Sequence, residues 1–311
     1  TGWVAEDLVA TVQSDGGILS KEDLENVSAK EREPLVGEYR GWKVYTMPPP
    51  SSGGVVLLQM LKVLEGYEID SYGHNSAELI HLYAEVSQHA FADRANHLGD
   101  PDRIQIPIQE ILAPERIKAI QDSFEKEQTL PAESYGTRLD IGKDSGTQHI
   151  SVIDKNGLSA SLTTTLNTYF GSTVVGERSG IILNNEMDDF VAEPGKANFY
   201  GLVGSEANSV AAGAVPLSSM TPTILVSPDG RQRISVGASG GPFIISATMQ
   251  TIINIIDFEM EPSRAISEPR THHQWAPRNI FIDQGISEDT QEKLKEKGHQ
   301  LKPMPLDSSV Q

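Results

Sequence analysis

Thr147 follows Gly146 at the head of Gly146-Thr147-Gln148-His149-Ile150-Ser151-Val152, a hydroxyl residue at the mouth of an alternating, strand-like run. A threonine whose preceding peptide bond is cut carries its hydroxyl and a free α-amine on one residue. That amine has a pKa of roughly 7.7 to 8, so on the order of a tenth of it is basic at neutral pH. Nucleophile and general base then arrive together. Gly146 has no side chain to oppose the strained geometry that attack on its own carbonyl needs. The heptapeptide alone is equally an ordinary strand start, because a β-branched residue suits pleated backbone.

Acyl transfer also needs donors for an oxyanion and a pocket that selects the acyl group. Gly237-Ala238-Ser239-Gly240-Gly241 follows a predicted strand and precedes a predicted helix at Phe243, so its backbone amides can serve a developing negative oxygen. The same run reads as a plain strand-to-helix turn. Leu217-Ser218-Ser219-Met220 offers paired hydroxyls before a strand, where serines are also common turn formers. Asn184-Asn185-Glu186-Met187-Asp188-Asp189-Phe190 gathers acids that suit an ammonium ligand, a metal or a solvated loop. His149 shares a strand face with Thr147 and reads first as a satisfied buried histidine. His272 and His273 are strand neighbours facing opposite ways with no third ligand in view, which disfavours a metal site.

The elements that must position these residues are mixed. Val4, Leu8, Val9 and Val12 recur at helical spacing up to Gly16-Gly17, and Ser20 with Asp23 makes a capping box. Residues 33–39 and 42–47 predict a hairpin at Gly41. Pro48-Pro49-Pro50-Ser51-Ser52-Gly53-Gly54 then hands over to a helix ending near Gly66, with the serines as caps. An amphipathic helix is predicted over 76–98 and two helical pieces around Pro114, followed by a polar, exposed linker over 128–146. Strands are predicted over 148–153 and 158–164 around a type I′ turn at Asn156-Gly157, and over 180–183, 221–226 and 232–236. Helices return over 243–258 and 288–297. Helices, strands and helices in that order, joined by hairpins, predict an α+β fold of antiparallel sheet covered by helices.

The chain has 311 residues, 25 basic against 43 acidic side chains, a net charge of −18 and no cysteine. Disulfides, thiolate metal sites and cysteine nucleophiles are excluded, and binding to nucleic-acid backbones or anionic lipid is disfavoured. The sequence opens at Thr1 in a helical pattern, without initiator Met, leader or membrane-spanning apolar run, and is expected to be part of a longer product.

These motifs, in this order, resemble the γ-glutamyltransferases, and the resemblance extends through nearly the whole chain. It rests on Thr147, His149, Ser151 and Val152 in a Thr-x-His-x-Ser-Val setting, and on Pro48 to Gly54 and Thr165-Leu166-Asn167. Asn184 to Phe190, Pro216 to Met220, Gly240 with Gly241, and His272-His273-Gln274-Trp275 complete it. The resemblance implies a four-layer α/β/β/α fold of the N-terminal nucleophile hydrolase type and a precursor that cuts itself between Gly146 and Thr147. Residues 1–146 would then end a large-subunit region and 147–311 begin a small-subunit region, the two forming one structural domain and a heterodimer. It implies Thr147 as nucleophile, Thr165 as the partner that holds its hydroxyl, and Gly240 and Gly241 as oxyanion hole. Asn167, Glu186, Asp189, Ser218 and Ser219 would read the glutamyl ammonium and carboxylate, and Tyr200, in Asn198 to Gly204, would close a lid.

The implied reaction takes the γ-glutamyl group of glutathione or related compounds to water or to an amino acid through a threonyl ester, without cofactor or metal, in a periplasmic or secreted protein. Related readings keep the nucleophile and change the acyl group, as in glutaryl β-lactam acylases or poly-γ-glutamate depolymerases; a noncatalytic relative is the reading from another class. Gln148 departs from the family, which often has a second threonine there. Family precursors extend past both ends of the matching stretch, with a carboxylate-clamping arginine upstream. Residues 1–311 alone are therefore expected to turn over a γ-glutamyl anilide poorly.

Overall fold

A computed structural model of the chain describes residues 2–135, 147–196, 198, 200–306 and 308–311. Helix α1 (Trp3–Ser14) is followed by α2 (Lys21–Asn26), which opens on the expected capping box between Ser20 and Asp23. The hairpin β1 (Leu35–Tyr39) and β2 (Trp42–Thr46) leads through the proline loop into α3 (Gly53–Leu64), of which every residue but Lys62 is buried. A Cβ on Gly54 would lie 2.1 Å from the Met47 carbonyl oxygen, so the helix starts against the strand end in a space only glycine fits. Ser52 stands at the N-cap without a capping bond; its hydroxyl goes elsewhere, as described below.

Helix α4 (Ala77–His97) precedes α5 (Ile108–Ile111) and α6 (Pro114–Ser123). The expected amphipathic pattern of α4 is not what forms: it is buried along almost its whole length, and its polar residues pair inside the protein. Asp93 binds Arg116 at 2.9 Å and Gln59 at 2.6 Å. The predicted exposed linker is also partly an interior segment. Tyr135 is buried, and its hydroxyl, with that of Thr129, donates to the Glu85 carboxylate. Residues 136–146, Gly146 among them, lie outside the described residues.

The hairpin β3 (Thr147–Ile153) and β4 (Ser159–Thr165) is followed by β5 (Thr223–Val226), β6 (Arg233–Val236) and α7 (Phe243–Ile256). The predicted strand over 180–183 reduces to a single bridge between Val175 and Ile182. The β3–β4 turn is not type I′, which needs positive φ at both central residues. Only Gly157 has it, at φ +85°, and the Gly157 amide donates to the Asp154 carbonyl at 3.0 Å. The Asp154 carboxylate fixes this three-residue loop by accepting from the Asn156 and Leu158 amides, each at 2.8 Å.

Four elements close the chain: α8 (Pro262–Ser267), β7 (Thr271–His272), β8 (Asn279–Ile282) and, after α9 (Glu288–Glu296), β9 (Gln300–Pro303). Of these, α9 is expected from the sequence, as is strand at His272, which ends β7, while His273 lies past it. The three strands form a mixed sheet, with β8 and β9 parallel across the α9 crossover.

The layers follow from which faces are apolar. Helix α3 packs on β1 and against α4 and α7, over an antiparallel sheet of order β1-β2-β5-β6. The β3–β4 hairpin stacks on the other side, against β5 and β6. Its inner residues Thr147 and His149 are buried, while Ile150, Val152 and Leu162 on the outer face are 49%, 54% and 56% exposed. Helices over two stacked sheets agree with the expected α+β class.

One buried pair couples α4 to the last sheet. His81 Nδ1 and His299 Nε2 are 2.6 Å apart, and His81 Nε2 contacts the Glu125 carbonyl at 2.7 Å. With Glu85 they bring possible metal ligands together. The Glu125 carbonyl takes the His81 Nε2 proton, so His299 donates to His81, and Glu85 is occupied by Thr129, Tyr135 and Gln88. Burial lowers both imidazole pKa values and holds them neutral. An unfolded chain protonates them near the ordinary value of about 6.5. Their contribution to stability is therefore complete above that pH and lost as pH falls through it. In urea unfolding of the full-length protein, the midpoint of the wild type should fall more steeply from pH 7.5 to 5 than that of His299→Gln; equal slopes would refute the linkage.

Candidate active site

Strand register places Thr147 directly opposite Thr165, with their Oγ1 atoms 3.0 Å apart. Thr165 Oγ1 also accepts from the Asn167 amide at 2.8 Å, which leaves its own proton free to turn toward Thr147. Asn167 has φ +75°, a left-handed conformation that asparagine tolerates, and its Nδ2 donates to the Asn185 carbonyl at 3.0 Å. Behind the pair, His149 contacts Thr163 Oγ1 at 2.8 Å and Ser151 Oγ at 3.1 Å. A Cβ on Gly237 would lie 2.3 Å from its ring, so this histidine is packed between the sheets away from Thr147 Oγ1.

One small cavity is lined by Thr147, Thr165, Asn167, Asp189, Tyr200, Ser218, Ser219 and Gly241. Gly240 and Gly241 form the turn into α7 with φ of +120° and +56°. Their carbonyls accept from Phe243 and Ile244, and their amides have no partner among the described residues. Free amides beside a hydroxyl nucleophile are what an oxyanion requires.

The acids lie on a short 3-10 turn, Glu186–Asp189. Burial raises the Glu186 pKa, and Glu186 Oε1 is buried with no partner among the described residues. Burial also pushes Asp189 up to about 7; Glu186 beside it adds to the rise and Arg94 opposes it. Two neighbouring part-buried carboxylates that form no salt bridge among the described residues make a site that gains by taking up a cation.

The serine pair is held from behind. The Ser218 carbonyl accepts from the Ser52 amide at 2.8 Å and the Ser52 hydroxyl at 2.7 Å, and Ser51 Oγ donates to the Met220 carbonyl at 2.6 Å. Arg94 from α4, almost wholly buried, donates Nε to Ser52 Oγ at 2.9 Å. The proline-rich loop is thus a clasp for Ser218 to Met220. Asn208 ties this loop to the acids, its Nδ2 donating to the Asp189 carbonyl at 2.8 Å and its Oδ1 accepting from the Leu217 amide at 3.0 Å.

A gamma-glutamyltranspeptidase family model matches residues 1–311. The chain belongs to the gamma-glutamyltranspeptidase family. It is 42% identical over 301 residues to the glutathione hydrolase proenzyme of Escherichia coli K12, an alignment that covers 96% of this chain and 52% of that protein. The chain thus spans about half the length of such curated relatives. A crystal structure of a Helicobacter pylori gamma-glutamyltranspeptidase T380A mutant superposes with a TM-score of 0.50 at 41% identity, covering 52% of this chain and 87% of that one. A cephalosporin acylase from Bacillus halodurans superposes with a TM-score of 0.80 at 24% identity, covering 97% of this chain and 52% of that one, which establishes a common fold.

In this transpeptidase-family chain, Tyr200 is buried over the cavity. Its hydroxyl donates to Asn167, with the carbonyl oxygen at 2.7 Å and Oδ1 also in contact. Its ring lies against Gly241, where a Cβ would come within 2.7 Å. All the site residues expected from the sequence except Gly146 therefore meet around or beside one cavity. Arg94, Ser51, Ser52 and Asn208 are additions. For the two serines the sequence held a signal in the rigid proline loop; Arg94 was hidden in the polar face that made α4 read as amphipathic.

Proposed function

We propose that this chain carries the catalytic half of a self-processing γ-glutamyl hydrolase and transferase. The observation that carries this reading is the hydrogen-bonded Thr147–Thr165 pair in the same cavity as Asp189, with paired serines lining that cavity and Glu186 next to Asp189 on the same short turn. Glu186 and Asp189 receive the α-ammonium of the glutamyl group, and Ser218, Ser219 and Asn167 its α-carboxylate. The γ-carbonyl then lies toward Thr147.

In maturation, Thr147 Oγ1 attacks the Gly146 carbonyl carbon, the peptide nitrogen leaves as the α-amine of Thr147, and water hydrolyses the resulting ester. Residues 1–146 become the end of a large subunit and 147–311 the start of a small one. In turnover, the α-amine takes the hydroxyl proton, Oγ1 attacks the γ-amide carbon, and the Gly240 and Gly241 amides hold the oxyanion. The proton passes to the departing amine. Water or an acceptor amino acid then releases the glutamyl group, which gives ping-pong kinetics. Glutathione, a γ-glutamyl thiol tripeptide, is the expected donor. No helix among the described residues is long and apolar enough to cross a membrane, and a periplasmic or secreted site is proposed from family habit alone.

The acyl group is the decisive test. The full-length protein should show a kcat/KM for γ-glutamyl p-nitroanilide at least ~100-fold above that for glutaryl p-nitroanilide, because a glutaryl group leaves both acids without an ammonium. Equal or reversed preference would favour the acylase reading.

A further inference from the structure

The His272-His273-Gln274-Trp275 motif has no part in the chemistry above, yet it reaches the residue that closes the cavity. Gln274 is buried, and its Nε2 donates to the Tyr200 carbonyl and to the Ala276 carbonyl, each at 3.1 Å. Two carbonyl acceptors fix the amide orientation, because the flipped amide would set an oxygen against two oxygens. The Gln274 Oε1 then faces His272 Nε2 at 2.9 Å and accepts its proton. That leaves His272 Nδ1 as acceptor for the Ser246 hydroxyl of α7 at 2.7 Å. The imidazole is packed among Phe91, Phe243 and Phe281, and burial keeps it neutral, its pKa pushed down to about 4. A single hydrogen-bonded line thus runs from the helix after Gly241 to the backbone of Tyr200.

We infer that Gln274 is a positioning residue for substrate retention: its amide nitrogen latches the Tyr200 backbone, and His272 braces its amide oxygen. This rests on the proposed reading of the cavity as the glutamyl site. The Tyr200 side chain is tied to Asn167 on one side of the cavity and its main chain to Gln274 on the other. Loss of the second tie removes the bond that holds the Tyr200 carbonyl to the segment after β7 and leaves the loop easier to open. The substrate then binds to a site that is closed for a smaller fraction of the time, which weakens apparent affinity by that fraction. Groups that act after binding are untouched.

The test uses the full-length protein and Gln274→Glu, which keeps the shape and replaces the donor by a second oxygen. The expected result is a KM for γ-glutamyl p-nitroanilide raised at least ~5-fold with kcat within ~2-fold. In a Tyr200→Phe background the same change should raise KM less than ~2-fold further, since the latch has less to hold. An unchanged KM, or an undiminished effect in that background, would overturn the latch. Trypsin cleavage after Lys196, at the exposed base of the Tyr200 loop, gives a readout independent of turnover; it should accelerate at least ~5-fold in Gln274→Glu, and an unchanged rate overturns the latch. Should wild-type protein fail to turn over the anilide, the functional reading fails while the cleavage rate still decides on Gln274. Where Gln274→Glu does not fold, Gln274→Met keeps the side-chain length, removes the donor to the Tyr200 carbonyl, and should give the same KM rise; an unchanged KM overturns the latch.

Discussion

Thr147→Ala in the full-length protein should leave one polypeptide, seen as a single intact mass, where the wild type gives two fragments divided between Gly146 and Thr147. Turnover of γ-glutamyl p-nitroanilide should fall by on the order of 10⁴-fold or more, because the substitution removes the nucleophile and, by preventing cleavage, the α-amine that would act as its base. Thr147→Ser supplies the discriminating control. It keeps an Oγ within reach of Thr165 and should cleave slowly, and whatever fraction is cleaved should be active. A Thr147→Ala protein that still divides at this bond, or an undivided wild type with normal turnover, would remove the basis of the mechanism.

The second large effect concerns the ammonium. In the proposed reading Asp189 meets it as a carboxylate, yet burial raises the Asp189 pKa to about 7. Binding of a γ-glutamyl group therefore releases a proton below that pH, and affinity should weaken by up to about tenfold per unit as pH falls from 7. Inhibition by L-glutamate reads this without interference from catalytic protons. Its inhibition constant should be flat from pH 7.5 to 8.5 and rise steadily toward pH 5.5. Asp189→Asn should weaken it by on the order of 100-fold at pH 8, the loss expected when one member of a desolvated charge pair is removed, and should abolish the acid-side dependence. A wild-type constant that does not change with pH would show that Asp189 is not the group that meets the ammonium.

The chemistry was more legible in the sequence than the framework. Thr147, the acids, the serines and the glycine pair announce themselves by residue type, Thr165 enters only through the family resemblance, and the structure brings Thr147, Thr165, Asp189, Ser218, Ser219 and Gly241 around one cavity. What sequence reasoning missed at the hairpin shows why spacing alone falls short. A two-residue turn at Asn156-Gly157 would pair Thr147 with Leu166 and turn Thr165 to the other face. The extra loop residue, held by the Asp154 carboxylate, is what sets Thr165 opposite Thr147. That bond is a side-chain detail no periodicity carries. The polar face of α4 misled for a related reason: its partners, such as Arg116 for Asp93 and Ser52 for Arg94, come from distant segments. The terminal strands β7 to β9 are too short, or in β9 too polar, to give an alternating signal.

Strand β2 lies before the expected cleavage point and β5 after it, and they pair as neighbours in the middle of one sheet. Residues 51 and 218 repeat that crossing at the serine clasp. A cut at position 146 would thus divide the polypeptide without dividing the fold, for neither piece owns a complete hydrophobic interior. The halves would stay together upon dilution and come apart only by denaturing, so each product of maturation would serve as the other's permanent scaffold.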